Sequence, residues 1–346
     1  MTIDLTGGLR PEQDHVFGSA PADPELRQGV SLWISNDDPE QGLGFPRLGL
    51  EAVASEWDQP GYSFQAAWPD GRVLIMGGTG EPRPAAGPDG TSTVMGAGPF
   101  EMRCVEPFRR WTADYEGPAL DTTVRDQANQ AVDQSNVVDV ALHVETEMAV
   151  PPWIQGTMGD DAKEKLSGDN VEAEFMGGFR FEQLFRGSGS FRVGSEPEQT
   201  FSCTGLRIFR QGVRNVEGFW GHAWQSALFP SGKAFGYIAY PPRPDGSPSY
   251  AECYLFDGDG ELIPATLVDA PWMTEFVPHG GPASCAFESE LGITKIDGET
   301  FLSVIHRGME QMPGLALHQG GTKYTWDGEV AYGMTERSYP EAQITW

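Results

Sequence analysis

The sequence has no apolar run approaching the roughly 20 residues that a membrane helix needs, so a helical membrane span is not expected. Its first 25 residues have neither a basic start nor an apolar stretch, so no secretory signal is expected either. Cysteine is scarce. Cys104, Cys203, Cys253 and Cys285 lie far apart with no CxxC or zinc-ribbon spacing, which points to reduced thiols in a soluble cytoplasmic protein. His15, His143, His222, His279, His306 and His318 form no HxH, HxxxH or HExxH pattern, so no metal site is expected. There is no GxSxG elbow. The glycine-rich stretch Gly77 to Gly90 is interrupted by proline and precedes no helix, which excludes a phosphate-binding loop. Positive charge is in short supply: 23 Lys and Arg against 50 Asp and Glu give a net charge of −27. Nucleic acid and anionic membranes need a basic face and are not expected as partners.

What is abundant is turn chemistry. The 346 residues include 44 Gly and 27 Pro, enough punctuation for a β-rich chain with many reversals. Pro69-Asp70-Gly71, Pro230-Ser231-Gly232, Asp257 to Gly260, Asp297-Gly298 and Asp327-Gly328 each sit between apolar or alternating segments, and each reads as a hairpin turn. Period-2 alternation agrees with strands. Val138, Val140, Leu142 and Val144 share one face; in the segment from Phe175 to Arg186, Phe175, Phe179, Phe181 and Phe185 oppose Arg180, Glu182 and Arg186. Helix signals are few: Asp160 to Gly168 reads as two turns, and Asp121 to Gln134 as a loop or a short helix. The expected fold is all-β, with two antiparallel barrel or half-barrel units packed together and few short helices. Pro151-Pro152-Trp153 and the polar stretch after it mark a division near 150, giving an N-terminal half 1–150 and a C-terminal half 151–346.

In a chain poor in cations, the segment from Gly205 to Trp224 is unusual. It holds Arg207, Arg210 and Arg214, then Glu217, then His222 between Trp220 and Trp224. Arginine tolerates partial burial because its planar fork can be paired and stacked on rings. Two readings stand: ion pairs that lock strands together, or a cationic site that stabilises negative charge on a ligand. Alternation puts 207 and 209 on one face of a strand and 208 and 210 on the other, so the three arginines cannot all point the same way. His222 reads either as a core histidine or as a general acid/base beside aromatic rings. Glu217 reads as a loop carboxylate or as its helper. Tyr237 and Tyr240 have opposite parity, so only one can face a cavity.

Several segments together resemble a lipocalin-related family that includes carotenoid 1,2-hydratase (hydroxyneurosporene synthase): Phe100 to Gly117, Phe179 to Gly194, Gly205 to Trp224, and Thr325 to Ser338. The resemblance runs from about Trp33 to the end of the chain. It implies two barrel-like halves with a ligand cavity, and reactions on hydrophobic molecules (hydration, dehydration, cyclisation) that need no redox cofactor. Relatives carry Gly-His-Arg-Asp-His-Ser-Trp-Gly-Pro-Arg just before a His-x-Trp strand. Here Gly205, Arg207, Gly212, Arg214, His222 and Trp224 match that frame, whereas Ile208 and Phe209 stand where the family has its Asp and second His. Without that acid pair, simple carotenoid hydration is not the expected reaction.

The combined reading is a cofactor-independent lyase, hydratase or isomerase acting on a hydrophobic small molecule with an aromatic or polycyclic body, in a barrel cavity. Catalytic candidates are His222, Glu217, Arg207, Arg214 and Tyr237; substrate-binding candidates are Trp220, Trp224, Arg210, Phe209, Trp272 and Glu252. The competing reading is a lipocalin-type carrier without catalysis. Homodimerisation is an open assembly state.

Overall fold

The computed structural model describes all residues except 1–2, 38–41, 168–170, 244 and 248. Eleven strands form the first sheet: β1 (Arg27–Asn36), β2 (Gly44–Val53), β3 (Gly61–Ala67), β4 (Arg72–Thr79), β5 (Val94–Ala97), β6 (Phe100–Glu106), β7 (Arg110–Thr123), β8 (Val137–Met148), β9 (Trp153–Ile154), β10 (Phe179–Val193) and β11 (Gln199–Gly212). The order β4-β3-β2-β1-β11-β10-β8-β7 closes on itself because β4 also pairs with β7, so eight of these strands make a barrel. β5 and β6 extend from β7, and β9 pairs with β10. A second closed barrel follows: β12 (His222–Leu228), β13 (Ala234–Ala239), β14 (Ala251–Phe256), β15 (Ile263–Asp269), β16 (Cys285–Ser289), β17 (Gly292–His306), β18 (Leu315–Trp326) and β19 (Glu329–Pro340). Every strand pairing is antiparallel. The helices are short: α1 (Val124–Ala128), α2 (Asp160–Ser167) and α3 (Val171–Met176).

The all-β, two-barrel expectation holds, and the alternation of β8 places Val140, Leu142 and Val144 in the first core. Three expectations change. The sheets exchange between Gly212 and His222, because β10 and β11 pair with β8 and β1 and complete the first barrel; composition had put the division near 150. Asp297-Gly298 makes no hairpin but lies within the continuous strand β17. A Cβ on Gly298 would sit 2.5 Å from the carbonyl oxygen of Ala283, so this glycine serves a close backbone approach. Phe175 belongs to α3 and not to the following strand. Helix α2 forms where expected, though its expected stop, Gly168, lies outside the described residues.

Both barrels are filled by their own side chains. Phe45, Phe64, Tyr115, Phe181, Phe191 and Phe209 occupy the first; Phe235, Tyr237, Cys253, Phe287 and Tyr324 occupy the second. All four cysteines are free and buried. A third apolar cluster lies between the barrels. It joins Trp33, Leu184 and Leu206 on the outside of the first to Trp224, Leu228, Ile238 and Met334 on the outside of the second. Trp33 meets Trp224 edge to face, with centroids 5.5 Å apart. Among the described residues, no helix is long and apolar enough to cross a membrane.

Candidate functional site

Because each barrel interior is packed, the notable cavity lies at the seam, not inside a barrel as the resemblance had led us to expect. Its volume is about 140 Å³. Strand register explains its walls. On the outer face of the first barrel, Glu51, Gly29, Arg210 and Arg180 stand in one cross-strand row over β2, β1, β11 and β10. The next row toward the seam carries Ser31, Ile208 and Glu182. On the second barrel, Ile238, Trp224, Glu336 and Gln319 form a row over β13, β12, β19 and β18, and His222, Ser338 and Leu317 form another. Tyr240, just past β13, and Arg214, in the segment linking the barrels, complete the polar lining, together with Arg47 of β2.

His222 is buried and held at both ring nitrogens: Nε2 lies 2.9 Å from Glu336 Oε1, and Nδ1 lies 2.6 Å from Ser338 Oγ. Gln319 Nε2 donates to the second oxygen of Glu336 at 2.5 Å. Gln319 accepts in turn from Gln65 Nε2 at 2.7 Å, so the network crosses back to the first barrel. Burial pushes the Glu336 carboxyl up, but the hydrogen bond and charge of His222, the charge of Arg47 and the bond from Gln319 outweigh it and hold the group at about 2. Glu336 is thus an anion that fixes the imidazole from Nε2, as an orienting carboxylate does in acid/base sites.

Arg180 Nη2 pairs with Glu182 Oε1 at 2.5 Å, and its guanidinium lies over the Trp224 ring at 5.2 Å. Trp224 Nε1 donates to the other Glu182 oxygen at 3.1 Å. Burial raises the Glu182 carboxyl above its ordinary value despite Arg180. Glu51 is claimed from outside by Arg27 at 3.2 Å. Arg214 donates through Nε to the carbonyl of Phe175 at 2.7 Å and has no carboxylate partner among the described residues. The phenol of Tyr240 makes no hydrogen bond with the described residues. Burial pushes it above the ordinary range, against the pull of Arg214, Arg210 and Arg180, so it stays protonated and is a proton donor.

Of the residues singled out in the sequence, His222, Trp224, Arg210 and Arg214 meet in this cavity. The others lie elsewhere. Arg207 points into the first barrel, where Nη1 reaches Asp14 Oδ1 at 2.6 Å and the guanidinium lies between Trp111 and Phe181. Phe209 stacks on Phe181 in the same core, with centroids 5.2 Å apart. Tyr237 is inside the second barrel, donating to Gln225 Oε1 at 2.8 Å. Glu217 is exposed in the linking segment. Glu252 is buried, accepting from the amides of Gly156 at 2.9 Å and Met158 at 2.8 Å and from the Tyr250 hydroxyl. It ties the stretch after β9 to β14. Trp272 packs against the second core. Trp220 donates to the carbonyl of Pro241 at 2.9 Å and backs Tyr240 edge to face. Arg47, Glu51, Glu336 and Tyr240 were not among the sequence candidates. Parity had already allowed Tyr240 in place of Tyr237, and Glu336 falls in the Thr325 to Ser338 segment that carried the resemblance. Arg47 and Glu51 had no sequence signal.

Solved structures decide the architecture. This chain has a known two-barrel, lipocalin-like fold. A protein described as an AttH from Nitrosomonas europaea matches with a TM-score of 0.54 at 14% identity, over 94% of this chain and 98% of that one. CghA bound to Sch210972 matches with a TM-score of 0.54 at 10% identity, over 92% and 89%. Kievitone hydratase from Nectria haematococca matches with a TM-score of 0.50 at 10% identity, over 97% and 96%. At such identities the likeness is one of fold, and it agrees with the resemblance drawn from the sequence. No family model matches the sequence, and no curated protein matches it.

Proposed function

We propose that the seam cavity is the active site of a cofactor-independent lyase or hydratase acting on a hydrophobic small molecule. The observation that carries this is the meeting, in one cavity, of the carboxylate-oriented imidazole of His222 and the protonated phenol of Tyr240, which makes no hydrogen bond with the described residues. Addition or removal of water or of another leaving group needs one proton donor and one acceptor on the ligand. Tyr240 is the donor. When the imidazole is neutral, its proton rests at Nε2 against the ionised Glu336, and the lone pair at Nδ1 is the acceptor. Its bond to Ser338 is a neutral one, worth about 1 kcal/mol net, so a ligand group can displace it. Trp224, Ile238 and Leu317 give the ligand apolar surface. The cavity volume matches about one aromatic ring, since a cavity of ~150 Å³ holds benzene. An aromatic or polycyclic ligand would therefore place one ring or head group here. Kievitone hydratase, which shares the fold, is by name a hydratase. Buried reduced thiols and the acidic composition are compatible with a cytoplasmic setting.

A second reading, a carrier, is favoured by two facts: both nitrogens of His222 are already bonded within the protein, and Ile208 and Phe209 occupy the family's acid-pair positions. Native mass spectrometry of the purified protein, followed by analysis of the released compound before and after incubation, separates the two. The enzyme reading expects conversion, lost on Tyr240→Phe or His222→Ala with the fold retained. Release of the compound unchanged would establish carriage instead.

A further inference from the structure

Charge at the seam is unbalanced. Arg180 has Glu182, Glu336 is hydrogen-bonded by His222 and Gln319, and Glu51 is drawn outward by Arg27. Arg47 and Arg210 make neither a hydrogen bond nor an ion pair with the described residues, and Arg214 is bonded only through Nε. Three guanidiniums therefore border one small cavity with no ion pair to a carboxylate of the described residues, Glu336 and Glu51 acting on them only at longer range, in a protein whose net charge is −27.

The arrangement works against the fold. Arg210 and Arg180 are directly opposed on adjacent antiparallel strands, where like charges destabilise. Burial, then the charges of Arg214 and Arg180, push the Arg210 guanidinium well below its ordinary value, and Glu51 compensates only in part. A guanidinium does not escape this by losing its proton. An anion entering the cavity would relieve it.

We infer that the seam cavity recognises an organic carboxylate, gripped by Arg210 with Arg47 and Arg214, whose carbon body lies against Trp224, Ile208 and Ile238. The planar fork of arginine matches a carboxylate in two parallel hydrogen bonds. The apolar wall beside it selects an organic anion over inorganic phosphate. Gly29, between Glu51 and Arg210 in the cross-strand row, projects no side chain and leaves room for the head group. This inference rests on the seam cavity being the ligand site, as the proposed function holds, and names the ligand's charged end.

The probes are benzoate, its neutral isostere benzamide, and inorganic phosphate, titrated by calorimetry and saturation-transfer NMR against the wild type, Arg210→Met and Arg214→Met. Benzoate is expected to bind, benzamide and phosphate to bind at least about tenfold more weakly, and either variant to lose benzoate by a similar factor. Arg210→Met is also expected to raise the melting temperature of the unliganded protein. Equal binding of benzoate and benzamide, tighter binding of phosphate, undiminished benzoate binding by both variants, or no benzoate binding to the wild type would each overturn the inference. A melting temperature lowered by Arg210→Met would show that arginine to be structural, and would overturn it too. The proposed reaction fails separately: unimpaired conversion by Tyr240→Phe and His222→Ala would remove the catalytic assignment and leave carboxylate binding standing.

Discussion

Arg207 and Arg210 lie three residues apart on one strand and do opposite things. Arg207 is completely buried in an ion pair with Asp14, whose carboxylate also accepts from the Phe108 amide at 2.6 Å and the Trp111 indole at 3.1 Å. Arg210 makes no hydrogen bond or ion pair with the described residues, and Glu51 acts on it only at a distance. The alternation of β11 separated them in the sequence; what each would meet was not legible, because Asp14 is 193 residues away. Glu336 offers a test at the same scale. Its folded pKa of about 2 lies below its ordinary 4.5, so the ionised carboxylate with its hydrogen bonds stabilises the fold above pH 4.5 and ceases to do so as pH falls through 2. The contribution is of order 3 kcal/mol at neutral pH. Urea denaturation of wild type and Glu336→Gln across pH should show a gap that is constant above about pH 5 and closes toward pH 2. A gap independent of pH would show that the loss comes from packing alone.

At the scale of elements, cross-strand register builds the site. Glu51 and Gly29 come from the consecutive strands β2 and β1, and Arg210 and Arg180 from the consecutive strands β11 and β10, but nothing in sequence order gives the β1–β11 pairing that joins them into one continuous row. Gly29 is its gap. A Cβ there would make only ordinary contacts, 3.5 Å from the Leu50 carbonyl and 3.8 Å from Glu51. Gly29→Val is therefore expected to keep stability within about 1 kcal/mol while weakening benzoate binding severalfold, as read by calorimetric titration and urea denaturation. Unchanged binding would mean that the ligand does not reach this wall. The strands and most of the hairpins were legible from alternation and turn residues, because those signals are local. Asp297-Gly298 misled for the same reason: the pair has turn chemistry, but its glycine answers to Ala283 in the neighbouring stretch just before β16. The boundary near 150 misled because a proline pair marks a break in one strand and says nothing about which sheet the next strands join.

Over the whole molecule, two apolar clusters tie the barrels together, one around Trp33 and Trp224 and a second around Phe276, Leu302 and Ala316. Scanning calorimetry is expected to give one transition, with calorimetric and van't Hoff enthalpies in agreement, since neither barrel can leave the other without exposing that surface. Two resolved transitions would show that the barrels unfold apart. The solid interiors of both barrels carry a further consequence. Most strand residues that line the cavity, Ile208, Ile238 and Arg210 among them, project from outer faces and contribute to neither core. Residues such as Ile208, Ile238 and Arg210 can be exchanged to suit a different guest while the aromatic packing inside each barrel stays as it is. The division of labour gives the molecule two rigid halves and one adaptable joint.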